Sequence, residues 1–273
     1  LAEVTLRLEE QPRLQEIWTS RNTMANEKVS LWAPQKAEFS FITKPSRQCF
    51  CVSHYGHQGS YDRPAETPML PELEDVAVLL PFKRGYCIDL ALAEYAPYPL
   101  GFRKVWQVQV GGSLPSFYAW EPVPPGEGDG KYVVFGHIFT TSDEQPLTTS
   151  CRCIHRDLCQ PARPLPGSSS DRRDPQLLWN DRGLGGTPGS LWTVNNLRCV
   201  FATRGYEPPV GSGDGGAFWE LKDCAPPYEL KPTPSAKPTP SANPLPVQTH
   251  SQCKAYSQCK AYSQCKAYSQ CKA

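Results

Sequence analysis

Four cysteines spaced six residues apart close the chain: Cys253, Cys259, Cys265 and Cys271. A lysine follows each, and Tyr256, Tyr262 and Tyr268 stand between them. Thiol, amine and phenol at regular intervals are the groups of covalent matrix chemistry: disulfide exchange, amine coupling and phenol oxidation. A neighbouring cation also favours the reactive thiolate. The spacing predicts a cross-linking tail and disulfide-linked self-association. One function class follows, a structural extracellular matrix or adhesive protein assembled through the tail. The bland alternative is a drifting low-complexity segment.

A second candidate is the loop Asn180-Asp-Arg-Gly-Leu-Gly-Gly186. Asn180 and Asp181 offer an amide and a carboxylate to sugar hydroxyls or a cation, and Gly185 and Gly186 let a ligand approach the backbone. A tight turn whose Asn and Asp bond their own backbone competes with this reading. Gly126-Glu-Gly-Asp-Gly130 and Gly211-Ser-Gly-Asp-Gly215 share a pattern but sit at different places in the repeats described below, so they read as flexible hairpin loops. Cys151-Arg-Cys-Ile-His155 with Cys159 has zinc-like donors, but disulfides are the better account of these cysteines and no metal is assigned. His54, His57 and His137 lack a Gly-x-Ser-x-Gly elbow or a His-Glu-x-x-His partner, and read as ordinary surface or half-buried histidines. No catalytic residue and no cofactor is assigned; the chain reads as a non-enzyme.

The elements that must position these groups show in the tryptophans. Six of the seven form pairs: Trp18 with Trp32, Trp106 with Trp120, Trp179 with Trp192. Leu14-Gln-Glu-Ile-Trp18, Phe102-Arg-Lys-Val-Trp106 and Pro175-Gln-Leu-Leu-Trp179 open the units. Ser30-Leu-Trp32, Tyr118-Ala-Trp120 and Ser190-Leu-Trp192 follow. Then come the apolar runs Phe50-Cys-Val52, Tyr132-Val-Val-Phe135 and Cys199-Val-Phe201, with Pro64, Pro146 and Pro208 closing the units. Three copies of one unit, none able to bury its apolar face alone, predict an all-β fold with a pseudo-threefold repeat. A β-prism-like arrangement fits best; a β-trefoil is disfavoured by the length of the units. An insertion over 66–101 carries expected strands at Val76–Leu80 and Tyr86–Ala93, and Phe218–Lys222 reads as a closing strand.

Composition sets the boundaries. Pro 29 and Gly 20 suit many short strands joined by turns. Residues 1–229 read as one three-repeat β domain. Lys231-Pro-Thr-Pro-Ser-Ala236 and its copy at 237–242 mark a Pro-rich linker over 230–250, extended by its fixed φ angles. Residues 251–273 form the hexapeptide-repeat tail, too poor in large aliphatics to order itself. Residues 230–273 hold six of the 28 lysines and arginines and none of the 27 acids, so the linker and tail together carry +6 and the body −5. A mildly acidic body argues against nucleic acid as partner. Eight cysteines in the body and four in the tail suggest disulfides and an oxidising, extracellular location.

Leu177-Leu-Trp-Asn-Asp-Arg-Gly-Leu-Gly-Gly-Thr-Pro-Gly-Ser-Leu-Trp192 resembles a motif of the vacuolar protein sorting-associated protein sixty-two family and its plant relatives: apolar-Trp-x-Asp-x-Gly-x-Gly-Gly, then Ser-apolar-Trp. Tyr132-Val-Val-Phe-Gly136, Gln145-Pro146 and Arg152-Cys-Ile-His-Arg-Asp-Leu158 resemble a second series of that family, and Ile88-Asp-Leu90 fits ahead of it. The likeness covers about residues 80–222. It departs at Gln107 and Gln109, where Asp and Gly are usual, so a site built on the Asp/Gly loop survives only in the third unit. The resemblance implies a fold more than a function. By looser analogy with β-prism modules, the body is expected to bind a glycan or a membrane lipid surface through loops at one end.

Overall fold

The computed structural model describes residues 4–10, 13–23, 25, 27–35, 47–64, 69–75, 91–108, 116–126, 128–164, 174–184 and 186–222. The chain divides into two units, Leu1–Leu230 and Lys231–Ala273, and every described residue lies in the first. The linker and the tail, Cys253, Cys259, Cys265 and Cys271 included, lie outside the described residues.

Each tryptophan pair builds one three-stranded antiparallel sheet. In the first repeat the order is β2 (Leu14–Thr19), β3 (Val29–Pro34) and β5 (Tyr55–Gln58). In the second it is β7 (Gly101–Val108), β8 (Phe117–Val123) and β10 (Ile138–Thr140). In the third it is β13 (Gln176–Asn180), β14 (Gly189–Thr193) and β15 (Val200–Arg204). A fourth sheet joins β1 (Val4–Glu10), β6 (Met69–Asp75) and β4 (Arg47–Cys49). Two short pairs follow among the described residues: β9 (Tyr132–Val133) with β11 (Ile154–His155), and β12 (Cys159–Pro161) with β16 (Trp219–Leu221). The protein is all-β, and β16 matches the expected closing strand.

The insertion departs from expectation. Residues 91–95 are helical, not strand, while Val76–Leu80 lies outside the described residues. Alanine, leucine and glutamate favour helix. Ala91, Leu92 and Ala96 face the core, with Tyr95 half-buried beside them, a spacing that fits a helical turn; the Ala96 N–H donates to the Leu92 carbonyl at 3.0 Å.

All three sheets share one irregularity. The register of the first strand slips between Glu16 and Trp18, between Lys104 and Trp106, and between Leu177 and Trp179. Strict alternation would send the residue before each tryptophan to the opposite face. The bulge instead lets Ile17-Trp18, Val105-Trp106 and Leu178-Trp179 all pack into one core. There Trp18 meets Trp179 at 5.4 Å between ring centroids and Phe117 at 4.7 Å, while Trp106 meets Phe117 at 5.4 Å and Trp179 at 6.4 Å. The Trp106 indole also ties the second repeat to the third, its N–H donating to the Thr187 carbonyl at 2.8 Å.

The second strands alternate cleanly. Leu31, Ala119 and Leu191 point into that core. Trp32, Trp120 and Trp192 take the opposite faces, where each indole N–H finds a hydroxyl: Ser30 at 2.9 Å, Thr140 at 2.8 Å and Ser190 at 2.9 Å. Trp120 lies in a small cluster with Phe102 and Cys151, and Trp192 in one with Phe218.

The three repeats converge just before their third strands. Ser53, Gly136 and Cys199 hold equivalent places; a Cβ on Gly136 would lie 2.2 Å from Ser53 Oγ and 3.0 Å from Cys199 Cβ, so only glycine fits. The next residues, His54, His137 and Val200, close a ring of backbone hydrogen bonds. His54 N–H donates to the His137 carbonyl (3.3 Å), His137 N–H to that of Val200 (2.8 Å), and Val200 N–H to that of His54 (3.4 Å). This ring marks the pseudo-threefold axis.

Candidate functional site

Asn180 and Asp181 end β13 and turn the chain into β14. Asn180 Oδ1 accepts the Arg182 N–H at 3.1 Å. Asp181 is buried, 4% exposed, and its Oδ1 accepts the Gly189 N–H at 3.0 Å, while its carbonyl accepts the Leu184 N–H at 3.0 Å. Both side chains thus serve the hairpin's own backbone. Gly186 is exposed at φ 91°, and Gly185 lies outside the described residues. Among the loop's described residues, Arg182 is exposed and offers a guanidinium to solvent.

Arg182 stacks on the Tyr206 ring at 4.4 Å. Desolvation and then the nearby Asp181 carboxylate raise the Tyr206 phenol above its usual value. The first repeat has a counterpart: Arg21 and Lys28 lie over the Tyr61 ring at 5.1 and 5.8 Å. The two stations are built alike. Gly59 and Gly205 follow the third strands at φ 84° and 81°, where a side chain would be strained. Their N–H groups donate to the carbonyls of Lys28 and Pro188, each at 2.7 Å. Ser30 and Ser190 donate to the Ser60 and Gly205 carbonyls at 3.2 and 2.8 Å. Both stations therefore occupy the hairpin end of their sheets. Sequence reading missed them, although a Tyr shortly after each third strand and an Arg in each hairpin were available signals. In the second repeat Lys104 instead lies over Tyr118 and Trp120 and pairs with Asp143.

Two grooves lie elsewhere. One, of about 200 Å³, has Tyr132, Phe201, Phe218 and Trp219 in its wall and the Arg103–Glu121 ion pair among its lining. The other, of about 240 Å³, runs between β5 and β13, lined by His57, Gln58, Gln176 and Arg198 among others. The two Gly-x-Gly-Asp-Gly loops close on themselves. Lys131 N–H reaches Asp129 Oδ1 at 2.8 Å, and Gly211 N–H reaches the Gly216 carbonyl at 3.0 Å.

His54 and His137 are not the surface or half-buried residues expected. They are 7% and 4% exposed, and burial alone draws both down to about 3. Each Nδ1 accepts a backbone N–H, His54 from Phe139 and His137 from Ala202, both at 3.0 Å.

The described cysteines bear on a second expectation. None of Cys49, Cys51, Cys151, Cys153, Cys159 and Cys199 forms a disulfide; Cys87 and Cys224 lie outside the described residues. Cys151 packs with Phe102 and Ile138, and Cys159 and Cys199 with Phe50, Val133 and Leu221. They behave as small buried hydrophobes. Burial pushes Cys151 up and takes Cys153 and Cys199 to about 12.

No protein-family model matches the chain, and no curated protein does. The likeness to the vacuolar-sorting family therefore rests on its motif residues alone. Among solved structures, the chain is similar to GNIP1Aa from Chromobacterium piscinae, with a TM-score of 0.53 at 18% identity over 83% of this chain. The match spans 39% of that protein's length, and at this identity it speaks for the fold.

Proposed function

We propose that the body is a non-catalytic recognition module, a β-prism-like head that engages a glycan or membrane surface through the loops at the hairpin end of its sheets. The observation that carries this reading is the repeated station of cation over tyrosine, Arg21 and Lys28 on Tyr61 and Arg182 on Tyr206. Guanidinium groups suit carboxylate and phosphate, and a tyrosine's apolar body with a polar tip suits a wet boundary or a sugar face. The shared chemistry is an anionic surface, from acidic sugars or lipid headgroups. The alternatives for acid–base chemistry, His54 and His137, are buried and spend Nδ1 on backbone groups.

The test is binding of the full chain to an array of acidic and neutral glycans, and to phosphatidylcholine vesicles with and without phosphatidylserine. Binding to one anionic class, reduced at least about tenfold in Arg21→Gln/Arg182→Gln and unchanged in Asp129→Ala, supports the reading. Failure to bind either class, or an unaffected double variant, overturns it.

A further inference from the structure

The axis holds one feature that surface recognition leaves unused. His54, His137 and Val200 occupy equivalent places, and each faces the third strand of the next repeat. His54 of the first repeat accepts the Phe139 N–H on β10 of the second, and His137 of the second accepts the Ala202 N–H on β15 of the third. With Nδ1 as acceptor, the ring proton sits on Nε2. At the third seam, between the third repeat and the first, Val200 takes the place of the imidazole, and His57 lines the groove between β5 and β13 beside it. There Val200 packs on Gly56, whose added Cβ would lie 3.1 Å from Val200 Cγ2 and 2.1 Å from Leu178 Cδ2. Both imidazole bonds thus border the second repeat.

We propose that these two histidines form an acid-sensitive release, in which protonation of Nδ1 frees the second repeat from the first and the third while the Val200 seam stays closed. A protonated Nδ1 becomes a donor aimed at another donor, the amide it formerly accepted, and the cation has almost no access to water. The ring facing His54 is Phe139, and the ring facing His137 is Phe201. The ionisable groups near the axis are Tyr55 and Cys51 of the first repeat and Cys199 of the third, with His57 on β5 further out; phenol and thiol are neutral across the acid range, and burial raises Tyr55 and Cys199 further. No neighbouring charge contributes to either histidine's shift.

The direction in pH follows from burial. An unfolded histidine takes up its proton near 6.5, whereas the folded ones resist until about 3. Stability from the neutral imidazoles is complete above 6.5 and is lost as the pH falls through that window. Each histidine shifts the opening equilibrium roughly tenfold per pH unit there, and the pair roughly a hundredfold.

The experiment follows amide protection factors in the full chain by NMR hydrogen exchange from pH 7.5 to pH 4.5. The Phe139 and Ala202 amides are expected to lose protection before the Val200 amide. His54→Asn/His137→Asn, whose Oδ1 replaces the Nδ1 acceptor without titrating, keeps protection at those amides down to pH 4.5. A second variant is His137→Val, the residue the chain already uses at the third place, and it reduces the dependence to about tenfold per pH unit. Unchanged protection in the wild type, simultaneous opening of all three seams, or an unaltered acid response in both variants overturns the proposal.

Discussion

At the scale of single residues, side chains whose chemistry reads as ligand binding also serve the backbone. Asp181 accepts the buried Gly189 N–H. Asp181→Ala leaves that donor without its acceptor and should cost about 1–3 kcal/mol in urea denaturation. Asn180→Ala, which removes only an exposed turn bond, should cost under about 1 kcal/mol. Cysteine poses a similar question: an even count cannot distinguish pairing from burial, and Cys151, Cys153, Cys159 and Cys199 are buried without a disulfide. Because burial raises Cys151, Cys153 and Cys199, these thiols should resist an aromatic disulfide reagent at pH 8 and react only in denaturant. Rapid reaction of the native protein, or a reductant-dependent melting temperature of the body, would restore the disulfide account.

At the scale of elements, much was legible because the units repeat. Trp18, Trp106 and Trp179 announce the first strands, and the alternation around Leu31-Trp32 and Leu191-Trp192 gives the second strands their two faces. The bulges were present as the apolar pairs Ile17-Trp18, Val105-Trp106 and Leu178-Trp179, which strict alternation cannot bury on one face. The axis was not legible. Ser53, Gly136 and Cys199 meet only when three distant segments converge, so nothing local marks His54 or His137 as buried. The helix at 91–95 was misread because a short Ala/Leu run fits either period. These contacts predict two losses by thermal or chemical denaturation. Trp179→Ala should cost about 3–5 kcal/mol, as a fully buried ring leaves a cavity among Trp18, Trp106 and Phe117. Gly136→Ala should cost about 1–3 kcal/mol, since its methyl meets Ser53 and Cys199. A neutral Gly136→Ala would mean the axis is looser than described.

At the scale of the whole molecule, the chain combines a three-repeat β body with a basic terminal segment rich in Cys, Lys and Tyr. Cross-linking by that segment is a proposal from sequence alone. It predicts reductant-sensitive oligomers on non-reducing gels after mild oxidation, absent when Cys253, Cys259, Cys265 and Cys271 are all changed to Ser. Monomers from the wild type would make the segment inert. The recognition proposed for the body is separable from this, because the Arg–Tyr stations lie in the first and third repeats. The central claim is that the hairpin end carries recognition, and its most direct test is a hydrogen-exchange footprint of the full chain on vesicles containing phosphatidylserine and on the acidic glycans that score in the array. The account predicts protection at residues 20–28, 59–63, 181–188 and 205–208, with the rest of the body unchanged. Protection centred on the groove of Tyr132, Phe218 and Trp219, or none at the hairpin end, would contradict it.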